Sequence, residues 1–132
     1  MIDPLPTLRV ARPTNNVDAL LPFSRDGLGF KILTRFEDHD YFSGVMLGHP
    51  RAPWHLEFTW SSRHSAPRCI SDDLLMVLYL PTLKIWQAAN DKMMMAGFAA
   101  VASLNPYWDK LGCTYEDADG YRVVLQHQSW TL

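Results

Sequence analysis

The chain reads as the same pattern written twice. Leu28-Gly29-Phe30 and Ala96-Gly97-Phe98 are one punctuation mark used two times, a glycine stop after a helical stretch followed by an aromatic residue. In the first half, Leu8 to Ala11 reads as a short strand ending at Pro13. Asn16 then suits an N-cap, and Val17, Leu20, Leu21, Ser24 and Leu28 follow at helical spacing. Pro22 lies inside this helix and should kink or shorten it. Phe30 to Phe36, Tyr41 to Leu47 and Trp54 to Trp60 read as strands.

The polar stretch Ser61 to Ser71, broken by Pro67, reads as a linker, and the order then begins again. Leu74 to Leu80 is a predicted strand. Thr82 is a predicted N-cap, and a helix from Leu83 directs Trp86, Ala89, Met93 and Ala96 to the core before stopping at Gly97. Phe98 to Ser103, Gly112 to Glu116 and Tyr121 to Gln126 are the three remaining predicted strands, the last two joined by the hairpin signal D-A-D-G at 117–120. The fold class expected is α+β, as two tandem βαβββ modules forming a curved mixed sheet. Module one spans about 7–60 and module two about 72–129, within a single domain over 1–132.

Composition bounds the function. Hydrophobic residues make up 48% of 132 positions, enough for a core, and the formal net charge is −2 without a basic run. A nucleic-acid surface would show a basic patch, so no nucleic-acid partner is expected. No apolar window is long enough to span a bilayer, and Leu74 to Leu80 is far too short. The start M-I-D-P-L-P-T has neither a cationic n-region nor an apolar h-region, so the reading is no secretory signal, no membrane and a cytoplasmic location. Cys69 and Cys113 are far apart and read as free thiols, Cys113 as a small buried residue.

Alternation along the strands sorts their faces. Leu8, Val10, Leu56, Phe58, Leu74, Met76, Leu78, Tyr121, Val123 and Leu125 form an apolar set that should lie against the helices. The opposite set mixes Arg9, His55, Glu57 and Arg122 with Leu75, Val77, Tyr79 and Val124. Such a face suggests a cup that holds a small molecule. His55 and Glu57 stand side by side on it, as half of a metal site or as a hydrogen-bonded pair.

Three stretches carry a resemblance. N-V-D-A-L-L-P-F-S-R-D-G-L-G-F at 16–30 resembles the first-helix signature of the vicinal oxygen chelate superfamily, H-L-E-F at 55–58 its fourth strand, and E-D-A-D-G-Y-R-V-V-L at 116–125 its closing hairpin, with Ala118 where proline is usual. That superfamily includes glyoxalase I, bleomycin and fosfomycin resistance proteins and extradiol dioxygenases. The resemblance implies the glyoxalase/bleomycin resistance/dihydroxybiphenyl dioxygenase fold, a pocket in the concave sheet and a homodimer. Carried onto this sequence, the family's four metal-ligand positions fall on Arg9, Glu57, Leu75 and Val124. Only Glu57 coordinates by its chemistry, since arginine stays protonated and leucine and valine have no lone pair. The expectation is no metal and no cofactor, with an Arg9–Glu57 ion pair in the metal's place.

Two enzyme readings stay open beside this one. His55 and Glu57 with His49 or His64 would make a divalent-metal site for lyase or dioxygenase chemistry. His55 alone could act as a cofactor-free general base, with Arg9 or Arg122 stabilising an anion. The binding reading takes Arg9, His55, Glu57, Tyr79, Tyr107, Trp108 and Arg122 as ligand contacts. Tyr107 and Trp108 of N-P-Y-W would stack on an aromatic ligand, neutral or anionic because the cup holds arginines.

Overall fold

The computed structural model describes residues 2–132. The first strand, β1, is Leu8–Pro13, and helix α1 is Val17–Leu21. The Asn16 side chain accepts the N–H of Ala19, satisfying a donor that the helix itself leaves free. Pro22 has no N–H to give, so α-helical pairing stops there. The chain continues as a π-helical turn over Pro22–Gly27, closed by Leu28 N–H donating to the Phe23 carbonyl at 2.9 Å. Gly29 then turns the chain at φ 77°. Strands β2 (Lys31–His39), β3 (Phe42–Gly48) and β4 (Trp54–Ser61) complete module one.

Module two opens with β5 (Leu75–Tyr79) and α2 (Leu83–Met95). Thr82 caps α2 by accepting from Ile85 N, and Gly97 ends it at φ 95°. A one-turn helix α3 (Tyr107–Lys110) precedes β6 (Gly112–Glu116) and β7 (Arg122–Gln126). The two sheets follow one plan. Module one runs β1-β4-β3-β2, with β1 and β4 parallel and the other pairs antiparallel. Module two runs β5-β7-β6, with β5 and β7 parallel and β6 antiparallel to β7.

Module two lacks the fourth strand expected at Phe98 to Ser103. Only Val101 keeps a single bridge, to Thr114. Ser103 donates its N–H to Asp109 Oδ1 at 3.1 Å, which takes the backbone out of the ladder. Ala99, Ala100 and Ala102 also offer little side chain to pack.

The helices and the apolar strand faces share a core. Leu20, Leu21, Val45, Leu47, Leu56 and Phe58 fill module one. Phe23, from the π-helical turn of module one, packs instead with Met93, Tyr115, Val123 and Leu125 of module two, and Met76 touches both clusters. Burial of one such large side chain contributes roughly 2–3 kcal/mol.

Leu8 and Val10 depart from expectation. They belong to the apolar set by alternation, yet they are 57% and 42% exposed. β1 and β5 are both edge strands that do not pair with each other, and among the described residues none covers the space between them. One ion pair crosses that seam, from Arg12 to Asp117. The linker at 61–71 has no helix or strand beyond Ser61. It is tied to module one by the Asn15 amide, bonded to both N and O of Ala66, and to module two by Cys69 N–H on the Asp119 carbonyl.

Candidate ligand cup and its arginine–glutamate pair

Parallel pairing of β1 with β4 sets Arg9 opposite His55 and Ala11 opposite Glu57, on one face. The expected Arg9–Glu57 ion pair is present, with Arg9 Nη1 3.2 Å from Glu57 Oε2. Arg9 Nε also donates to His55 Nε2 at 2.9 Å. One planar guanidinium therefore serves two partners. An Nε2 that accepts carries no proton, so the ring proton of His55 sits on Nδ1. Glu57 is 8% exposed, while 48% of the Arg9 side chain meets solvent.

The divalent metal of the superfamily does not fit these residues. Of the four positions, Leu75 and Val124 offer no donor atom, and Val124 is fully buried. Both coordinating groups on β4, the His55 Nε2 and the Glu57 carboxylate, already face the Arg9 cation. His49 accepts the Arg51 N–H at Nδ1, and His64 packs on Phe42. Among the described residues no group of three His, Cys, Asp or Glu side chains gathers to hold an ion.

The other predicted contacts do not converge on this trio. Arg122 is engaged by Asp72 at 3.6 Å, Glu116 at 3.4 Å and the Ala102 carbonyl at 3.2 Å, so it is not the free cation that an anionic ligand would need. Tyr107 and Trp108 stack edge to face at 4.9 Å on α3. A Cβ at Gly112 would lie 2.7 Å from the Trp108 carbonyl and 2.5 Å from Gln126 Oε1. The segment bearing the two aromatics thus closes down on the module-two end of the sheet, where Val124 and Gln126 are buried. Tyr79 pairs with Gln126 and lines a cavity of about 550 Å³ along the seam, with Leu8, Val10, Trp54, Leu56 and Leu78. By alternation this cavity lies on the opposite face of β1 and β4 from Arg9, His55 and Glu57.

Sequence reading missed Arg12 and Asp117. Arg12 lies in register with Leu8 and Val10, and a cation in an apolar register was the available signal. Its guanidinium stands 4.5 Å over the Tyr121 ring and 3.7 Å from Asp117 Oδ2. Burial lowers the Arg12 pKa and raises that of Asp117, against the pull of backbone N–H bonds and of Arg12 on the carboxylate.

Residues 8–59 match the YycE-like N-terminal domain and residues 73–127 the YycE-like C-terminal domain. The chain belongs to the YycE-like family. It is 38% identical over 120 residues to the uncharacterized protein YycE of Bacillus subtilis, covering 91% of this chain and 86% of that one. The crystal structure of a Bacillus subtilis YycE protein of unknown function superposes with a TM-score of 0.85 at 37% identity, over 95% of this chain and 91% of that one. More distant likenesses show the fold alone. Leishmania major glyoxalase I gives a TM-score of 0.69 at 17% identity, covering 92% and 86% of the two chains. TnmS3, an antibiotic binding protein from a Streptomyces species, gives 0.68 at 15% identity, covering 98% and 100%. The YycE-like chain therefore has the α+β glyoxalase/bleomycin resistance fold of the vicinal oxygen chelate superfamily. Among the described residues no helix is long and apolar enough to cross a membrane.

Proposed function

We propose that this YycE-like protein binds a small, uncharged, partly aromatic organic molecule on the cup face, and does so without a metal. The observation that carries this reading is that each arginine of the cup is already held by a carboxylate. Arg9 is matched by Glu57, and Arg122 by Asp72 and Glu116. An anionic ligand would have to break one of these pairs to gain a partner, which weighs against the anionic alternative. The Tyr107–Trp108 corner offers a stacking edge. One structural relative fits the reading by what it is, the antibiotic binding protein TnmS3. Fold alone does not transfer its ligand.

General-base chemistry at His55 is the second reading. It requires that Arg9 first leave Nε2, because the lone pair a base would use is already accepting.

The test has two arms. Protein incubated with zinc, nickel, manganese and iron(II) is desalted and its metal content measured. Near-stoichiometric metal that disappears in Glu57→Ala and His55→Ala sinks the metal-free reading. In the second arm, thermal shift is recorded against matched sets of neutral, anionic and cationic aromatic compounds. Stabilisation by neutral members, lost in Trp108→Ala, supports the proposal, and stabilisation by anions alone overturns it.

A further inference from the structure

We infer that the cavity between the end of β4 and the start of the linker binds a small phosphate group, either the free ion or the phosphoryl end of a small ester. The inference does not rest on what the cup binds. The cavity, of about 400 Å³, lies where β1 and β4 give out, with Thr14, Trp60, Ser61, Arg63 and His64 in its wall. The last strand pair before it, Pro13 with Thr59, is roughly 13 Å along β4 from His55, so the site stands apart from the Arg9 trio.

The wall offers donors. Thr14 Oγ1 accepts the Asn16 N–H at 3.1 Å, and Ser61 Oγ accepts the Arg63 N–H at 3.0 Å. A hydroxyl whose oxygen is accepting keeps its own proton to donate. Neither proton has an acceptor among the described residues. Trp60 adds an indole N–H, a group that only donates. The one side-chain amide oxygen of the wall, Asn15 Oδ1, is taken by the Ala66 N–H at 2.7 Å. No carboxylate lines the cavity.

Arg63 supplies the charge. Its guanidinium lies 3.2 Å over the Tyr41 ring, and it forms no ion pair among the described residues. Stacking occupies the flat face of a guanidinium and leaves its N–H groups, which radiate in the plane, for an oxyanion. Arg9, Arg12 and Arg122, by contrast, each have a carboxylate. Tyr41 stands at φ 72°, a backbone region that large side chains seldom occupy, and its carbonyl takes the Ser62 N–H at 3.0 Å. On the other side the Asn15 amide holds both the N–H and the carbonyl of Ala66. The chain is thus pinned on both flanks of Arg63 and His64, and a ligand finds the donors already placed.

The number of donors selects phosphate. A carboxylate brings two oxygens, which a single guanidinium fork satisfies. A phosphate brings further oxygens for the Thr14 and Ser61 hydroxyls and the indole N–H. A nucleic-acid backbone would need a longer basic surface than Arg63 and His64 provide in a chain of net charge −2.

The experiment follows the indole N–H signal of Trp60 by proton–nitrogen correlation NMR on the full-length chain, with Trp60→Phe to identify it among the five tryptophans. Sodium phosphate is titrated to about 20 mM against sodium chloride at constant ionic strength. The expected result is a saturating shift with phosphate and none with chloride. Arg63→Gln, at an exposed position, should weaken binding about tenfold or more. Arg35→Gln, which removes an exposed charge on β2 outside the cavity, should leave it unchanged. Circular dichroism checks that each variant is folded. Phenyl phosphate separates the two sources. Tighter binding of this probe assigns the site to an ester, and equal or weaker binding assigns it to the free ion. No saturating shift with either probe overturns the inference. So does a shift that chloride reproduces, that survives in Arg63→Gln, or that falls as far in Arg35→Gln.

Discussion

Arg12 and Asp117 join the first strand of one module to the hairpin turn of the other, Nη1 to Oδ2 at 3.7 Å, with both side chains almost wholly out of solvent. The same carboxylate closes its own turn, because Oδ1 accepts the N–H groups of Asp119 and Tyr121. Asp117→Asn keeps an oxygen for those two bonds and removes the charge. Arg12 then loses its counter-ion, but the burial that disfavours the Asp117 charge is relieved as well, so at neutral pH Asp117→Asn should be at least as stable as the unaltered protein. Urea unfolding measures it, and a loss of several kcal/mol would mean that the ion pair outweighs the burial of its charges.

Burial raises the Asp117 pKa, and this fixes the sign of a pH effect. The folded state holds this proton more tightly than the unfolded chain, whose carboxyl titrates near about 3.9. The group's contribution is therefore full below that value and is lost as pH rises through the folded pKa. Stability curves of the unaltered protein and Asp117→Asn, compared between about pH 3 and 6, should converge on the acid side. Parallel curves would contradict the assignment.

Arg9→Ala leaves Glu57 nearly buried without its guanidinium donor. The expected cost is about 1–3 kcal/mol. Replacing both partners, as Arg9→Met with Glu57→Leu, should recover most of it, since neither side is then left unpaired. Thermal melting of the single and double variants decides. A double variant no better than Arg9→Ala would show that the pair itself, rather than its completeness, supports the sheet.

Gly112 is tight for a backbone reason. A methyl group there meets the Trp108 carbonyl at 2.7 Å and Val124 Cγ1 at 3.0 Å. Carbonyl groups of a short helix move only with the whole segment. Gly112→Ala should cost about 1–3 kcal/mol and shift the fluorescence of Trp108 as α3 is pushed away. Gly97→Ala meets nothing within 4 Å, and its penalty comes from φ 95° alone. The fluorescence change should therefore be absent from that second variant.

Tyr115 carries an alkaline signature. Its hydroxyl donates to Asn90 Oδ1 at 2.6 Å, and burial pushes its pKa up to about 12. The unfolded phenol titrates near about 10, so the folded state keeps the proton longer. Its contribution is full below about pH 10 and is lost between there and about 12. Tyr115→Phe should be less stable at neutral pH and should show a flatter decline through that alkaline window.

The repeat and the helix caps were legible because they are local. Asn16, Thr82, Gly29 and Gly97 act within a few residues of themselves, and each terminates or starts what the sequence says it should. The Arg9–Glu57 pair was legible because period-two alternation and a family register both place those residues on one face. The strand at Phe98 to Ser103 was misread because its fate depends on Asp109, whose side chain claims a backbone N–H from outside the segment. Arg122 looked free for a similar reason, since Asp72 lies in a different stretch of chain. The exposure of Leu8 and Val10 depends on how two sheets meet, which strand alternation does not contain.

The bond from Arg9 to His55 has a consequence for approach as well as for contact. An accepting imidazole is uncharged, so the trio presents one cation and one carboxylate a few ångströms apart, a dipole with no monopole. The field of a dipole dies away faster with distance than that of a charge, and there is no long-range attraction for salt to screen. The trio gives an arriving molecule no electrostatic acceleration, and the association rate of an uncharged ligand should change little between dilute buffer and moderate salt.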